Sequence, residues 1–260
     1  DQSFDQDRDT VIKDSFKNGI EQIIVTSSSV NESLKSIELA RSYKGKIWAT
    51  AGIHPHNASN ASEKFKEDLM AILNHDEVVA IGECGLDYFR NFSSKEEQRK
   101  VFKGHLELAH KVDIPLFLHQ RDAHDDFLGM IKDYGPKELK GVAHCFTGSK
   151  EQMESYLDLG LYIGVTGWLC DSRRNSELLG TINYIPKDRL LIETDSPYLM
   201  PKSLSKSLNT RRNEPQYLGY IAKELANLME ISLSELSSIT RSNTKTLFAK
   251  LRESLPAYTN

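Results

Sequence analysis

Short apolar runs alternate with longer amphipathic stretches along the whole chain. The runs 22–28, 47–54, 78–86, 114–121, 141–147, 161–168 and 190–195 are mostly β-branched and bounded by turn or charged residues, so each reads as a buried strand. The segments between them carry helical periodicity. Ser94, followed by Glu96 and Glu97, offers a capping hydroxyl with acids in the first turn. Asp122 and Ser149 are placed to cap the next two helices. Segment 231–251 reads as one or two amphipathic helices with Leu233, Leu236, Ile239, Leu247 and Leu251 as the apolar set. This βαβα alternation predicts an α/β fold, a (β/α)8 TIM barrel, with 1–260 as one domain. Seven strands are counted, and the chain opens on a helix-like stretch that ends at Gly19. The expectation is a barrel whose first strand, roughly ten residues, is absent from this sequence.

The candidate chemistry sits at the ends of these runs. Glu83, His119, His144 and Asp195 each close a different one. In a parallel barrel the carboxyl ends of the strands meet at one rim, so residues distant in sequence can converge there. One such residue is commonly a cap or a satisfied buried group; four at the same rim point to a metal. Two imidazoles and two carboxylates suit Mg²⁺, Mn²⁺ or Zn²⁺. His54 precedes Pro55, which ends its strand and leaves His54 at the rim with an active-site role. His56 enters the loop, with either an active-site or a loop-stabilising role. Arg121, and Arg212 in Arg211-Arg-Asn-Glu-Pro215, offer guanidinium forks for phosphate. The long loop after Asp195, with Lys202 and Lys206, fits a substrate clamp or a solvated basic loop. Cys84 and Cys145 adjoin Glu83 and His144, which invites nucleophilic chemistry. Neighbouring strand residues face opposite sides, however, so both thiols are expected in the core. His75, His105 and His110 read as positions without partners, and His124 as a first-turn surface residue.

Composition narrows the class. The 260 residues are 39% hydrophobic and 27% charged, enough for one large core. A net charge of −4 excludes a general basic coat for nucleic acid but leaves local binding by a metal and a few arginines. No run approaches the roughly 20 apolar residues of a membrane helix. The start lacks a signal peptide's pattern, and three cysteines fit no disulfide framework. A cytoplasmic monomer that does not span a membrane is expected.

The blocks Gly52-Ile-His-Pro-His56, Ile81-Gly-Glu-Cys-Gly-Leu-Asp87, Phe117-Leu-His-Gln-Arg-Asp-Ala-His124, His144-Cys-Phe-Thr-Gly148, Gly164-Val-Thr-Gly167, Glu193-Thr-Asp-Ser-Pro-Tyr-Leu199 and Arg212-Asn-Glu-Pro215 occur in one order. With them the chain resembles the TatD family of metal-dependent deoxyribonucleases, within the amidohydrolase-like barrel superfamily, from Asp1 to about Leu251. The resemblance implies a Mg²⁺-assisted 3′ to 5′ exonuclease on single-stranded DNA, with a role in DNA repair or fragmentation. It implies Glu83, His119 and His144 as metal ligands, and Asp195 as the ligand or base that handles the nucleophilic water. Many relatives carry a His-x-His pair on the first strand for a second metal. On this expectation that strand would lie upstream of Asp1, so one site is defined and a second is left open. A metal-dependent amide or ester hydrolase and a noncatalytic barrel are the rival expectations.

Overall fold

A computed structural model of the protein describes residues 1–135 and 139–252; the last eight residues of the expected 1–260 domain lie outside them. Two compact units make up the described chain. The first is built from Asp1–Glu21, Cys145–Leu157 and Tyr162–Thr244, and the second from Gln22–His144, Asp158–Leu161 and the residues from Lys245 on.

The second unit holds five parallel strands: β1 (Ile23–Val25), β2 (Ile47–Ala51), β3 (Val78–Asp87), β4 (Leu116–Arg121) and β5 (Gly141–Ala143). Helices Val30–Ser42, Phe65–Leu73, Lys95–Ala109 and His124–Asp133 form the crossovers. In the first unit β6 (Tyr162–Val165) runs parallel to β7 (Leu190–Ile192), with Ile163 opposite Leu190. Every expected run contains a strand, and within each unit strand order is chain order. β2 is buried along its whole length and β3 at every residue but Glu83. Strands covered on both faces need largely apolar sequence, as in β2 and the Val78–Ile81 start of β3.

Helix Lys95–Ala109 shows how the crossovers are built. Ser94 and Glu97 form a reciprocal capping box at its start. Its inward stripe is Val101, Phe102, His105, Leu106 and Leu108, and Phe102 stacks on Phe127 with ring centroids 5.3 Å apart. Each fully buried Leu or Phe of this kind contributes roughly 1.5–3 kcal/mol.

Four local expectations change. Asp122 adopts φ +53° and caps nothing; the helix starts after Ala123, whose amide donates to Gln120 Oε1 at 2.8 Å. Leu233, at the start of helix Leu233–Leu247, is 46% exposed, whereas Leu236, Leu247 and Leu251 are buried. The loop after Asp195 contains a helix, Lys202–Leu208, and Lys202 pairs with the buried Asp171 at 3.0 Å. Cys84 is buried as expected, but Cys145 lies beyond the end of β5 with φ +47°, so strand alternation does not govern it. Among the described residues, no helix is long and apolar enough to cross a membrane.

Candidate metal centre

Glu83 is placed by an irregularity in β3. Gly82 pairs with Phe117 and Cys84 with Leu118, which leaves Glu83 as the extra residue of a bulge. Bulges re-aim a side chain, and here the Glu83 amide is held by the Ser27 carbonyl at 3.0 Å. Gly85 is the register partner of His119. A Cβ on Gly85 would lie 1.9 Å from the His119 carbonyl oxygen, and its φ of +143° suits glycine, so only glycine lets the strands approach this closely.

Three imidazoles then converge on one carboxylate oxygen. Glu83 Oε1 lies 2.8 Å from His119 Nδ1, 2.9 Å from His144 Nε2 and 3.2 Å from His54 Nε2. Glu83 and His119 lie within β3 and β4, and His54 and His144 lie just beyond the ends of β2 and β5. Burial opposes a charge on Glu83, but His144, His54 and His119 outweigh it and hold the carboxyl well below its ordinary range. Candidate ligand atoms of His54, Glu83 and His119 all lie within 4.8 Å of one another. Converging nitrogen and oxygen donors of this kind fit a borderline or hard divalent cation.

The residue that sequence reasoning missed is Asp87. It lies four residues beyond Glu83 on the same face of β3 and is 1% exposed. Its Oδ2 lies 3.1 Å from His119 Nε2 and 2.9 Å from His56 Nε2. Its Oδ1 accepts from the amides of Phe89 and Arg90. Buried Gln98 accepts from the Asp87 amide and donates to its carbonyl, which fixes the backbone. Burial acts against ionisation of Asp87, yet the bonds from His119, His56 and the Arg90 amide hold it far below the usual carboxylate range. An ionised Asp87 accepts from His119 Nε2–H, so Nδ1, the nitrogen that faces Glu83, is the one whose lone pair a bound cation would take. Burial likewise opposes charge on His119, but Asp87 and Glu83 prevail and raise its pKa. The signal available in sequence was the period of two, which puts residues 83, 85 and 87 on one face.

His54 and His56 both join this cluster, so both of the roles weighed for His56 draw on one bond to Asp87. His54 Nδ1 accepts from the His56 amide at 3.0 Å, which leaves Nε2 to carry the proton of the neutral ring and point it at Glu83. Burial lowers the His54 pKa against the pull of Glu83, so the neutral ring is favoured. On distance His54 could be a ligand; its tautomer makes it a donor.

His105, expected to lack a partner, is fully buried beneath this loop. Its Nε2 accepts from the Ile53 amide at 3.0 Å and its Nδ1–H donates to the Val101 carbonyl at 2.8 Å. Burial pushes its pKa down to about 4, against the bond to Val101. The unfolded chain takes up this proton near pH 6.5, so the stability it contributes is complete above that pH and is lost as pH falls toward 4. We expect a loss of roughly 3 kcal/mol over that window from this ring. Urea unfolding at pH 7 and pH 4.5 checks it: the steep dependence should shrink in His105→Gln. His75, another residue expected to stand alone, is within 3.0 Å of the Arg41 guanidinium, and His110 stacks on Tyr134.

The remaining candidates are distributed between the units. Arg121 ends β4 in the same unit as the cluster and lies 3.8 Å over the Phe89 ring. Asp195 belongs to the other unit, three residues beyond β7, with φ +57° and a partly exposed side chain. Its loop is held by buried Asn213, which donates through Nδ2 to the Thr194 carbonyl and through its amide to the Pro197 carbonyl. Arg212 does not present an open fork. Its guanidinium makes two bonds to Asp7, at 2.9 and 2.6 Å, one to Glu214 and one to the Ser3 carbonyl. These bonds anchor the start of helix Arg8–Lys17 within the same unit.

Parallel strands joined by helices, with imidazoles and a carboxylate gathered at the strand ends, define the β/α-barrel class of proteins with a candidate divalent-metal site. The model of the TatD related DNases matches residues 1–249, and the chain belongs to that family. It is 43% identical over 245 residues to the 3′-5′ ssDNA/RNA exonuclease TatD of Salmonella typhimurium, covering 94% of each chain. It is 42% identical over the same length to the Escherichia coli K12 protein of that name, again with 94% of each chain covered. Among solved structures, a TatD homologue from Escherichia coli K12 superimposes with a TM-score of 0.87 at 29% identity, covering 95% of this chain and 93% of its own. A TatD family hydrolase from Entamoeba histolytica gives 0.84 at 34% identity, covering 93% and 89%.

Proposed function

We propose that this protein is a metal-dependent 3′ to 5′ exonuclease acting on single-stranded nucleic acid, with the family span as one catalytic domain. The observation that carries this reading is the convergence of three imidazole nitrogens on Glu83 Oε1 in a chain so close to enzymes bearing that name. Glu83, His119 through Nδ1 and His144 through Nε2 would hold the ion. A divalent cation, Mg²⁺ on the family pattern, supplies Lewis-acid polarisation of a phosphoryl oxygen and a more acidic water. His54 would donate a hydrogen bond from Nε2–H, the group that faces Glu83 before substrate binds, to a non-bridging phosphate oxygen. Arg121 neutralises charge that builds on the phosphate. Asp195 keeps, from its sequence motif, the role of proton acceptor for the attacking water. Arg212 is assigned no phosphate, because its donors are spent on Asp7 and Glu214. Cys84, Cys145 and Cys170 are in no disulfide, which accords with a reducing compartment, and we infer a cytoplasmic monomer.

The test is a chelator-treated preparation reloaded with Mg²⁺, Mn²⁺ or Zn²⁺ and given end-labelled single-stranded DNA, RNA and duplex, with an aryl ester and an amide as rival substrates. Stepwise release of 5′-mononucleotides from the 3′ end is expected. Turnover of the ester or amide alone would refute the nuclease reading, and so would a complete lack of turnover.

A further inference from the structure

The segment that follows Asp87 exposes more aromatic surface than a solvated loop needs. Phe89 is 54% exposed and Phe92 65%, within four residues of one another and one or two turns of chain from the cluster. Phe92 meets the His56 ring edge-on, with centroids 4.9 Å apart, and His56 is bonded to Asp87. Cations alternate with these rings: Arg121 lies 3.8 Å over Phe89, Arg90 5.9 Å from its centroid, and Lys95 4.4 Å over Tyr88. Asp126, which could cancel this charge, is occupied by Tyr88 and Arg99.

We propose that Phe89 and Phe92, with Arg90 and Arg121, form a stacking platform that holds the bases and backbone of single-stranded nucleic acid beside the metal centre. Exposed rings cost free energy in water unless something covers them, and a nucleobase offers a flat π face of matching size. The interleaved guanidinium groups select a polyanion over an apolar peptide, which would have no use for them. Duplex bases are already stacked on one another, so the platform also gives a physical reason for single-strand preference.

The inference rests on the nuclease reading, and its test separates the two. Metal-loaded protein is assayed on a ten-residue single-stranded oligonucleotide and on a small aryl phosphodiester. Phe89→Ala and Phe92→Ala should each raise KM for the oligonucleotide about 10-fold, lowering its kcat/KM relative to that for the small ester. Affinity for Mn²⁺, measured by calorimetry, should stay that of the parent. Leu variants, which keep the bulk without the π face, should behave like Ala, and Tyr variants like Phe. An unchanged KM overturns the platform while leaving the nuclease intact. A Leu variant as good as Phe overturns stacking, and a parent dimer that dissociates in the Ala variants with KM unmoved makes the patch a protein contact instead. A parent that hydrolyses the ester but no nucleic acid removes both readings.

Discussion

Glu83→Gln is expected to abolish cleavage, lowering kcat/KM by about a thousandfold or more, the scale set by losing an electrostatic group in a water-excluded site. The reason is local. Glu83 is the carboxylate on which His54, His119 and His144 converge, and glutamine keeps its volume while removing its charge. Without that charge a divalent cation would sit among neutral imidazoles, so Mn²⁺ affinity measured by calorimetry should fall together with activity. The fold should survive, because glutamine fills the same space and its amide oxygen still accepts from an imidazole N–H. Circular dichroism melts at pH 8 check this. A variant that keeps both metal affinity and turnover would remove Glu83 from the centre.

The second large effect is expected at Asp87, through a different route. Asp87→Asn preserves shape but turns one oxygen into an amide that donates toward His119 Nε2. The ring then shifts its proton to Nδ1, the nitrogen that faces Glu83, and the lone pair is lost where a ligand is needed. Metal affinity should drop about 10- to 100-fold, the usual scale for loss of such a supporting carboxylate. Asp87→Ala should do more harm to the fold, roughly 3–5 kcal/mol, because it strands two imidazole donors and two backbone amides around a buried gap. Calorimetric titration with Mn²⁺ and the ¹⁵N shifts of the His119 ring distinguish the two variants. An Asp87→Asn protein with parental metal affinity and an Nε2-protonated His119 would defeat the tautomer argument.

Much of this is legible in the sequence. Glu83, His119 and His144 announce themselves because each ends an apolar run, and the end of a parallel strand is where side chains escape the core. His54 was legible through Pro55. Asp87 is hidden because the apolar pattern of the strand runs out at Leu86, and a bulge at Glu83 cannot be seen in a one-dimensional pattern. His105 was hidden for a related reason. Helical periodicity puts it on the buried stripe of Lys95–Ala109, but only packing supplies the Ile53 amide that its ring accepts. The ion pair of Arg212 with Asp7 is hidden in the sequence because the two lie 205 residues apart.

The sequence by itself determined the order of strands and helices, the family, and which side chains could meet at strand ends, since all of these follow from local patterning and covalent order. The tertiary structure alone decided which nitrogen of each histidine faces Glu83, which carboxylate fixes that choice, and which arginine is spent on an internal ion pair. Those are questions of hydrogen-bond partners brought together from distant positions, and the polarity of an imidazole is set by whatever its other nitrogen touches.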